Sequence, residues 1–282
     1  NYEMSDYTDY GTVGSWLNMK KNPEYKKAKF FGGATWFTDN DNQKFSLFIN
    51  KTIHTGDAGR VYRGFDHDYS IINAGYDLKI NKNIRLNAHV GFRNYDRTWQ
   101  ESNFTVIDNL VSNNGVVQNI VPADVAMTFT HGKENVLTAG IDYQSADYHT
   151  WSDALVGYKT YGNKSTAYQE GIYAQEELHF GNLIVRAGLR SNYTKNNIEL
   201  INGSAPGQAT KDWNKLLYSA GLRYNATKNI SIYANIGSSF MTPGLKSVGG
   251  TIMTGDTTNS GQLPNPDLKP ESGIGIDGGF DF

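Results

Sequence analysis

The chain has no cysteine at all, and only seven prolines among 282 residues. The first absence excludes a disulfide framework, thiolate zinc sites and cysteine nucleophiles, and it agrees with an exported bacterial protein. Charge of one sign is also lacking. Twenty-six Lys and Arg against 28 Asp and Glu leave a net −2, so nucleic acid is not an expected partner. No run approaches 18 apolar residues, which excludes a membrane-spanning helix. No charged-then-apolar leader opens the chain, so any signal peptide is expected to be removed or to lie outside this segment. A nucleophile elbow, a paired-carboxylate signature and a phosphate loop are missing too. No enzymatic activity, cofactor or bound metal is therefore expected.

What the chain has instead is alternation. Ile84, Leu86, Ala88, Val90 and Phe92 alternate with Arg85, Asn87, His89, Gly91 and Arg93. Ile230, Ile232, Ala234, Ile236 and Phe240 alternate with Ser231, Tyr233, Asn235, Gly237 and Ser239, and Ile274, Ile276, Gly278, Phe280 and Phe282 alternate with small or acidic residues. A period of two is that of a β-strand with two unlike faces. The same pattern recurs near 29–38, 44–52, 69–80, 125–129, 137–143, 168–180, 183–190 and 216–223. Glu170 and Glu176 break it by sharing the parity of Ile172 and Ala174, which predicts either a position at the edge of an apolar band or a bulge. None of the prolines falls inside these predicted strands.

The connections alternate as strictly as the residues. Short polar turns near Asp39, Asn81, Gly132, Gly181 and Thr227 alternate with long loops near Gly56, Asn109, Gly157, Ser204 and Gly255. Outer-membrane barrels have short turns at one end and long loops at the other, whereas a soluble sandwich has no reason to sort loops in this way. A mean hydropathy of −0.53 is compatible with such a barrel, because only alternate residues across a band roughly 25 Å tall need be apolar. The 18 tyrosines and five tryptophans suit aromatic girdles. Charge then assigns the faces. Arginine facing lipid costs roughly 2–4 kcal/mol at the midplane. Arg85, Arg93, Arg186, Arg190 and Arg223 all lie on the polar face and are expected to line the interior with Asp77, Asp142, Glu177 and Asp277.

The expected fold is therefore all-β, an antiparallel transmembrane β-barrel. Residues 1–282 form a single domain with about eleven strands. Asn1–Lys27 reads as an outer loop or as one additional strand near Thr12–Met19, which would make twelve. Single-chain bacterial barrels use even strand numbers.

Ser238–Leu245, "Ser-Ser-Phe-Met-Thr-Pro-Gly-Leu", is followed by Leu263–Ser272, "Leu-Pro-Asn-Pro-Asp-Leu-Lys-Pro-Glu-Ser", and then by a glycine-rich strand. This stretch resembles the late barrel region of TonB-dependent outer-membrane receptors. The match rests on Asn265, Pro266, Leu268, Lys269, Pro270 and Glu271, a structural marker of that family rather than a ligand site. The resemblance implies a 22-stranded barrel with a plug domain in its lumen, of which this chain supplies wall and outer loops without the plug. It implies import of a scarce nutrient, with iron chelates, haem, cobalamin and glycans as candidates. The implied partners are outer-membrane lipid, the plug of the same receptor, a small-molecule ligand, and the TonB complex through an absent N-terminal region. The implied location is the outer membrane of a Gram-negative bacterium. A complete twelve-stranded channel or adhesin is the alternative.

Candidate sites follow from the same reading. The aromatics Trp99, Tyr148, Trp151, Tyr158, Tyr161 and Trp213 fall in predicted loops and are the expected ligand contacts, with girdle or loop packing as the alternative role. Arg85, Arg93, Asp142, Arg186, Arg190 and Arg223 are expected to face the lumen and plug. The six histidines at 54, 67, 89, 131, 149 and 179 are scattered, and no two stand at the spacing of a zinc site. In a receptor of the family resembled, an outer-loop histidine such as His54 or His67 could ligate haem. Gly273, Gly275 and Gly278 match a dinucleotide fingerprint in letters only, since no strand-to-helix turn follows.

Overall fold

The computed structural model describes residues 2–6, 24–38, 42–57, 62–102, 109–153, 155, 157–244, 247–248, 263, 265 and 267–282. The strand expected at Thr12–Met19, the turn residues Asp39–Asp41 and the motif residue Pro266 lie outside them. Twelve strands run antiparallel in one sheet, in sequence order: β1 (Tyr2–Asp6), β2 (Glu24–Phe37), β3 (Gln43–Asp57), β4 (Gly64–Lys79), β5 (Ile84–Ser102), β6 (Leu110–His131), β7 (Asn135–Ser152), β8 (Thr160–Phe180), β9 (Leu183–Leu200), β10 (Thr210–Asn225), β11 (Ser231–Met241) and β12 (Glu271–Asp281). Each strand pairs with its sequence neighbours, and β1 and β12 do not pair with each other. The sheet is thus an open, partial barrel. The N-terminal strand is Tyr2–Asp6, paired with Glu24–Ala28.

The turns carry the predicted chemistry. β8 and β9 are joined by Gly181 and Asn182, and Gly181 has φ +62°. A positive φ at the first central residue alone is the mark of a type II′ hairpin, whose twist matches that of its strands. Gly132, φ +60°, serves the β6–β7 turn. At Ile80–Asn83, the Asn81 side chain accepts bonds from the Asn83 and Ile84 amides.

Strands of 14 to 22 residues from β2 to β10 exceed the roughly 9–11 residues needed to cross a bilayer. Most of the predicted loops at 95–122 and 149–166 are in fact strand. Pro122 consequently lies inside β6. The β5–β6 ladder skips from Val90–Ala123 to Arg93–Ile120, and Pro122 sits in that gap opposite Gly91. A proline is tolerated where no ladder donor is required, and the missing Cβ of Gly91 makes room for its ring.

The register settles the glutamates. Pairing of β8 is unbroken from Ser165 to Glu177 on the β7 side and from Ser165 to Phe180 on the β9 side, so no bulge rephases that stretch. Glu176 lies on the apolar face beside Leu137 and meets the ring of His131, from the turn end of β6, at 2.7 Å. Glu170 lies on the same face between Tyr143 and Tyr193, toward the loops. Both therefore belong to the borders of the band.

Every described strand belongs to this one layer, so among the described residues no second sheet or helix covers the apolar face. Ile172, Leu189, Leu216, Leu222, Ile232 and Ile276 are more than half exposed on it. Burying such a side chain is worth roughly 1.5–3 kcal/mol, and an apolar surface this continuous marks contact with an apolar environment. On β5 the band runs from Ile84 to Phe92. Nine residues at roughly 3.3 Å each, tilted by about 40°, reach about 23 Å, close to a barrel's apolar girdle. Trp36, Phe45 and Tyr76 lie side by side along its turn edge, with the rings of Phe45 and Tyr76 4.7 Å apart.

Candidate functional site: the polar face and its loop-side rim

Because paired residues share a face, the ladder brings the opposite parity together. On that face β7, β8 and β9 place Asp142, Gly171 and Asn192 in one row. Arg190 donates to both Asp142 oxygens, at 2.6 and 2.8 Å, and to Asn192 Oδ1 at 3.0 Å. The ion pair passes over Gly171, where a Cβ would stand 2.2 Å from Arg190 Nη2. Two parallel bonds of this kind are among the strongest polar contacts a side chain makes.

The same construction repeats along the sheet. Arg186 pairs with Glu177, which also meets His179 at 2.9 Å. Arg223 reaches Ser231 at 2.6 Å and Asp281 at 2.9 Å, spanning three strands. Asp77 is held by Lys44 at 2.5 Å and by the Asn87 amide, and His89 meets Asp124 at 3.0 Å. Arg85 and Arg93 differ: neither has a carboxylate partner among the described residues. Arg93 borders a groove of about 580 Å³ with Phe48, Asn73, His89, Pro122 and Asp124. Arg85 borders another with Phe37, Lys44, Asp77 and Asn87. Phe31, Phe37 and Phe48 stand exposed on this polar face of β2 and β3.

Toward the loops the polar face becomes aromatic. His54 on β3 pairs directly across the ladder with His67 on β4, whose other neighbour is Arg97 on β5. The two imidazoles meet edge to face, centroids 5.8 Å apart. Phe65 lies 5.1 Å from each, Tyr25 5.5 Å from His54 and Tyr95 6.3 Å from His67. The Arg97 guanidinium stacks on Trp99 at 4.9 Å. These residues lie beyond Ile72 and Phe92, where the apolar band has ended. Burial, then the Arg97 charge and His54, hold the His67 pKa below the ordinary histidine value, which keeps the ring neutral. The chain spacing of thirteen residues concealed this pair, which becomes visible only once the β3–β4 register is known.

The predicted ligand contacts divide by position. Trp99 and Tyr148 lie on the polar face of β5 and β7, both partly buried. Trp151 lies on the opposite face, its indole covering Gly115, with the Lys159 ammonium 3.8 Å above the ring and Tyr161 across the ladder. Tyr158, in the β7–β8 connection, is 66% exposed. Trp213 is only 7% exposed and forms, with Ile198, Ile201 and Val248, the buried apolar cluster of the described residues. Leu268 packs on this cluster and its carbonyl accepts the Trp213 Nε1 bond at 3.1 Å. Asn265 shapes that contact: its side chain accepts the Asp267 amide, its carbonyl accepts the Leu268 amide, and its own amide donates to Val248. Trp213 thus fastens the β11–β12 connection to the polar face instead of offering its ring to solvent. Among the described residues no three His, Cys, Asp or Glu side chains converge as a metal-binding group.

An unlayered antiparallel sheet with an apolar band on one face, ion pairs on the other, and turns and loops sorted by end is the wall of an outer-membrane-type β-barrel. The family model "TonB dependent receptor-like, beta-barrel" matches residues 2–282, and the chain belongs to that family. Its members are outer-membrane receptors and transporters of Gram-negative bacteria, not enzymes. Solved structures agree in fold. The copper transporter OprC superposes with a TM-score of 0.72 at 12% identity, over 99% of this chain and 45% of that one. The ferric-catecholate import receptor Fiu from E. coli K12 gives 0.69 at 12%, over 99% and 50%. BauA, the ferric preacinetobactin receptor of Acinetobacter baumannii, gives 0.70 at 11%, over 99% and 46%. The chain therefore spans about half the length of these receptors. A sequence comparison with curated proteins finds no match.

Proposed function

We propose that residues 1–282 are one barrel domain in the outer membrane of a Gram-negative bacterium, and that it serves a TonB-dependent receptor importing a scarce nutrient. The observation that carries this reading is the sorting of the two faces: bare aliphatic side chains on one, cross-strand ion pairs on the other. The polar face is the lumen wall. On it, Asp142, Arg186, Arg190 and Arg223 are satisfied within the sheet, while Arg85 and Arg93 are free to bind a plug domain by charge-assisted hydrogen bonds. Trp99 and Tyr148 on the polar face, with exposed Tyr158 in the β7–β8 connection, supply aromatic surface for cargo near the loop end, whereas Trp151 and Tyr161 look outward and Trp213 holds the β11–β12 connection. Energy reaches such a receptor from the TonB complex.

The test is uptake by a deletion strain complemented with the full gene under nutrient limitation, with and without TonB. TonB-dependent growth is expected. Equal growth without TonB would leave a passive channel or adhesin as the better description.

A further inference from the structure

Each of the other four histidines has a carboxylate partner: His89 with Asp124, His131 with Glu176, His149 with Asp147, and His179 with Glu177. His54 and His67 have none among the described residues. They face each other instead, within a ring of Tyr25, Phe65 and Tyr95. Among the described residues, the Nε2 atom of His67 is buried and has no hydrogen-bond partner. A buried polar atom left unsatisfied costs about 1–3 kcal/mol, so an arrangement that retains one calls for a ligand.

The geometry points to a metal-accepting imidazole pair: we propose that His54 and His67 together coordinate a divalent first-row transition metal ion at the loop-side rim of the lumen. The proposal rests on the receptor reading and names the class of cargo it would favour. Residues directly opposite on adjacent antiparallel strands have Cβ atoms about 4.5–5.5 Å apart, within reach of a shared ion. A metal about 2.0–2.1 Å from each nitrogen at a tetrahedral angle sets the ring centroids about 5 Å apart. The observed centroid separation, 5.8 Å, is close to that value.

The donor chemistry selects the ion. Neutral imidazole suits copper, nickel and zinc, whereas hard ferric chelates are already saturated with oxygen ligands. Two protein ligands leave coordination positions open, which suits an ion in passage rather than one locked into a structural site. Arg97, on the strand next to His67, offers its charge to anions that accompany the ion.

Copper(II) is the most stringent probe, because imidazole sites bind it most tightly of the divalent first-row series. The full chain, purified in detergent, is titrated with copper(II) chloride and followed by electron paramagnetic resonance and calorimetry. One equivalent is expected to show coupling to two imidazole nitrogens. H54A and H67A are expected to weaken binding at least tenfold, and H131A to leave it unchanged. In the unmodified chain, copper(II) is expected to protect His54 and His67 from diethylpyrocarbonate, a readout that needs no variant to fold. Two-nitrogen coupling that persists in the H54A/H67A double variant, or absence of protection at both rings, would overturn the proposal. TonB-dependent uptake is scored separately, so failure of metal binding leaves the receptor reading intact, and failure of uptake leaves the imidazole pair intact.

Discussion

At Gly171 the backbone runs beneath the ion pair between Arg190 and Asp142, in space that a methyl group would occupy. Gly171→Ala is expected to push the guanidinium off its carboxylate and destabilise the sheet by roughly 1–3 kcal/mol, the usual range for overpacking. The check is the temperature at which the folded band disappears on unheated-versus-heated gels; an unchanged temperature would mean that the pair tolerates displacement. A second residue-scale prediction concerns acid. His67 is held neutral, so its folded pKa lies below that of the unfolded chain. As pH falls from the unfolded value toward the folded one, the unfolded chain binds a proton that the folded rim refuses, and stability drops through that window. NMR titration of a labelled His67 ring should give a midpoint below the ordinary histidine range; a midpoint at or above it contradicts the assignment.

Among the elements, the connection between β11 and β12 is the one whose attachment is most explicit. Trp213, Val248, Leu268 and Asn265 fasten it to the polar face of β9 and β10. The motif residues Asn265 and Leu268 therefore have a physical role, since they build a tight turn that presents one carbonyl and one apolar side chain to Trp213. Truncating a buried tryptophan costs roughly 3–5 kcal/mol. W213A should free the loop, so limited proteolysis is expected to cut within 242–270 far faster than in the parent chain while the strands stay intact; an unchanged cleavage rate would contradict the fastening.

The same scale shows what the sequence could and could not disclose. Turns such as Gly181–Asn182, and the alternation across 84–92, were legible because one face of each strand must be apolar and each tight turn needs particular residues. The extension of β5 to Ser102 and of β6 back to Leu110 was not, because past the apolar band both faces are wet and nothing forces alternation. The Tyr2–Asp6 strand leaves no such trace in the sequence, because five residues are too few for a period to declare itself. The His54–His67 pair depends on register, which no local pattern encodes.

For the molecule as a whole, one layer serves two solvents. Its apolar face lacks any covering element among the described residues, and its polar face is cross-linked by ion pairs between neighbouring and next-neighbouring strands. Lysine at Leu86, Val90 or Leu222 would put a cation among bare aliphatic side chains and cost roughly 2–4 kcal/mol at the bilayer midplane. Lysine at Asn87 would join a face that already carries Lys44, Arg85 and Asp77. The most direct measurement is assembly of these four variants of the full chain into outer membranes, scored by heat-modifiable migration. Loss or severe reduction of folded protein for L86K, V90K and L222K, with N87K near the parent level, is the expected result. Equal assembly of all four would mean that the aliphatic face does not meet lipid, and the barrel account would fall with it.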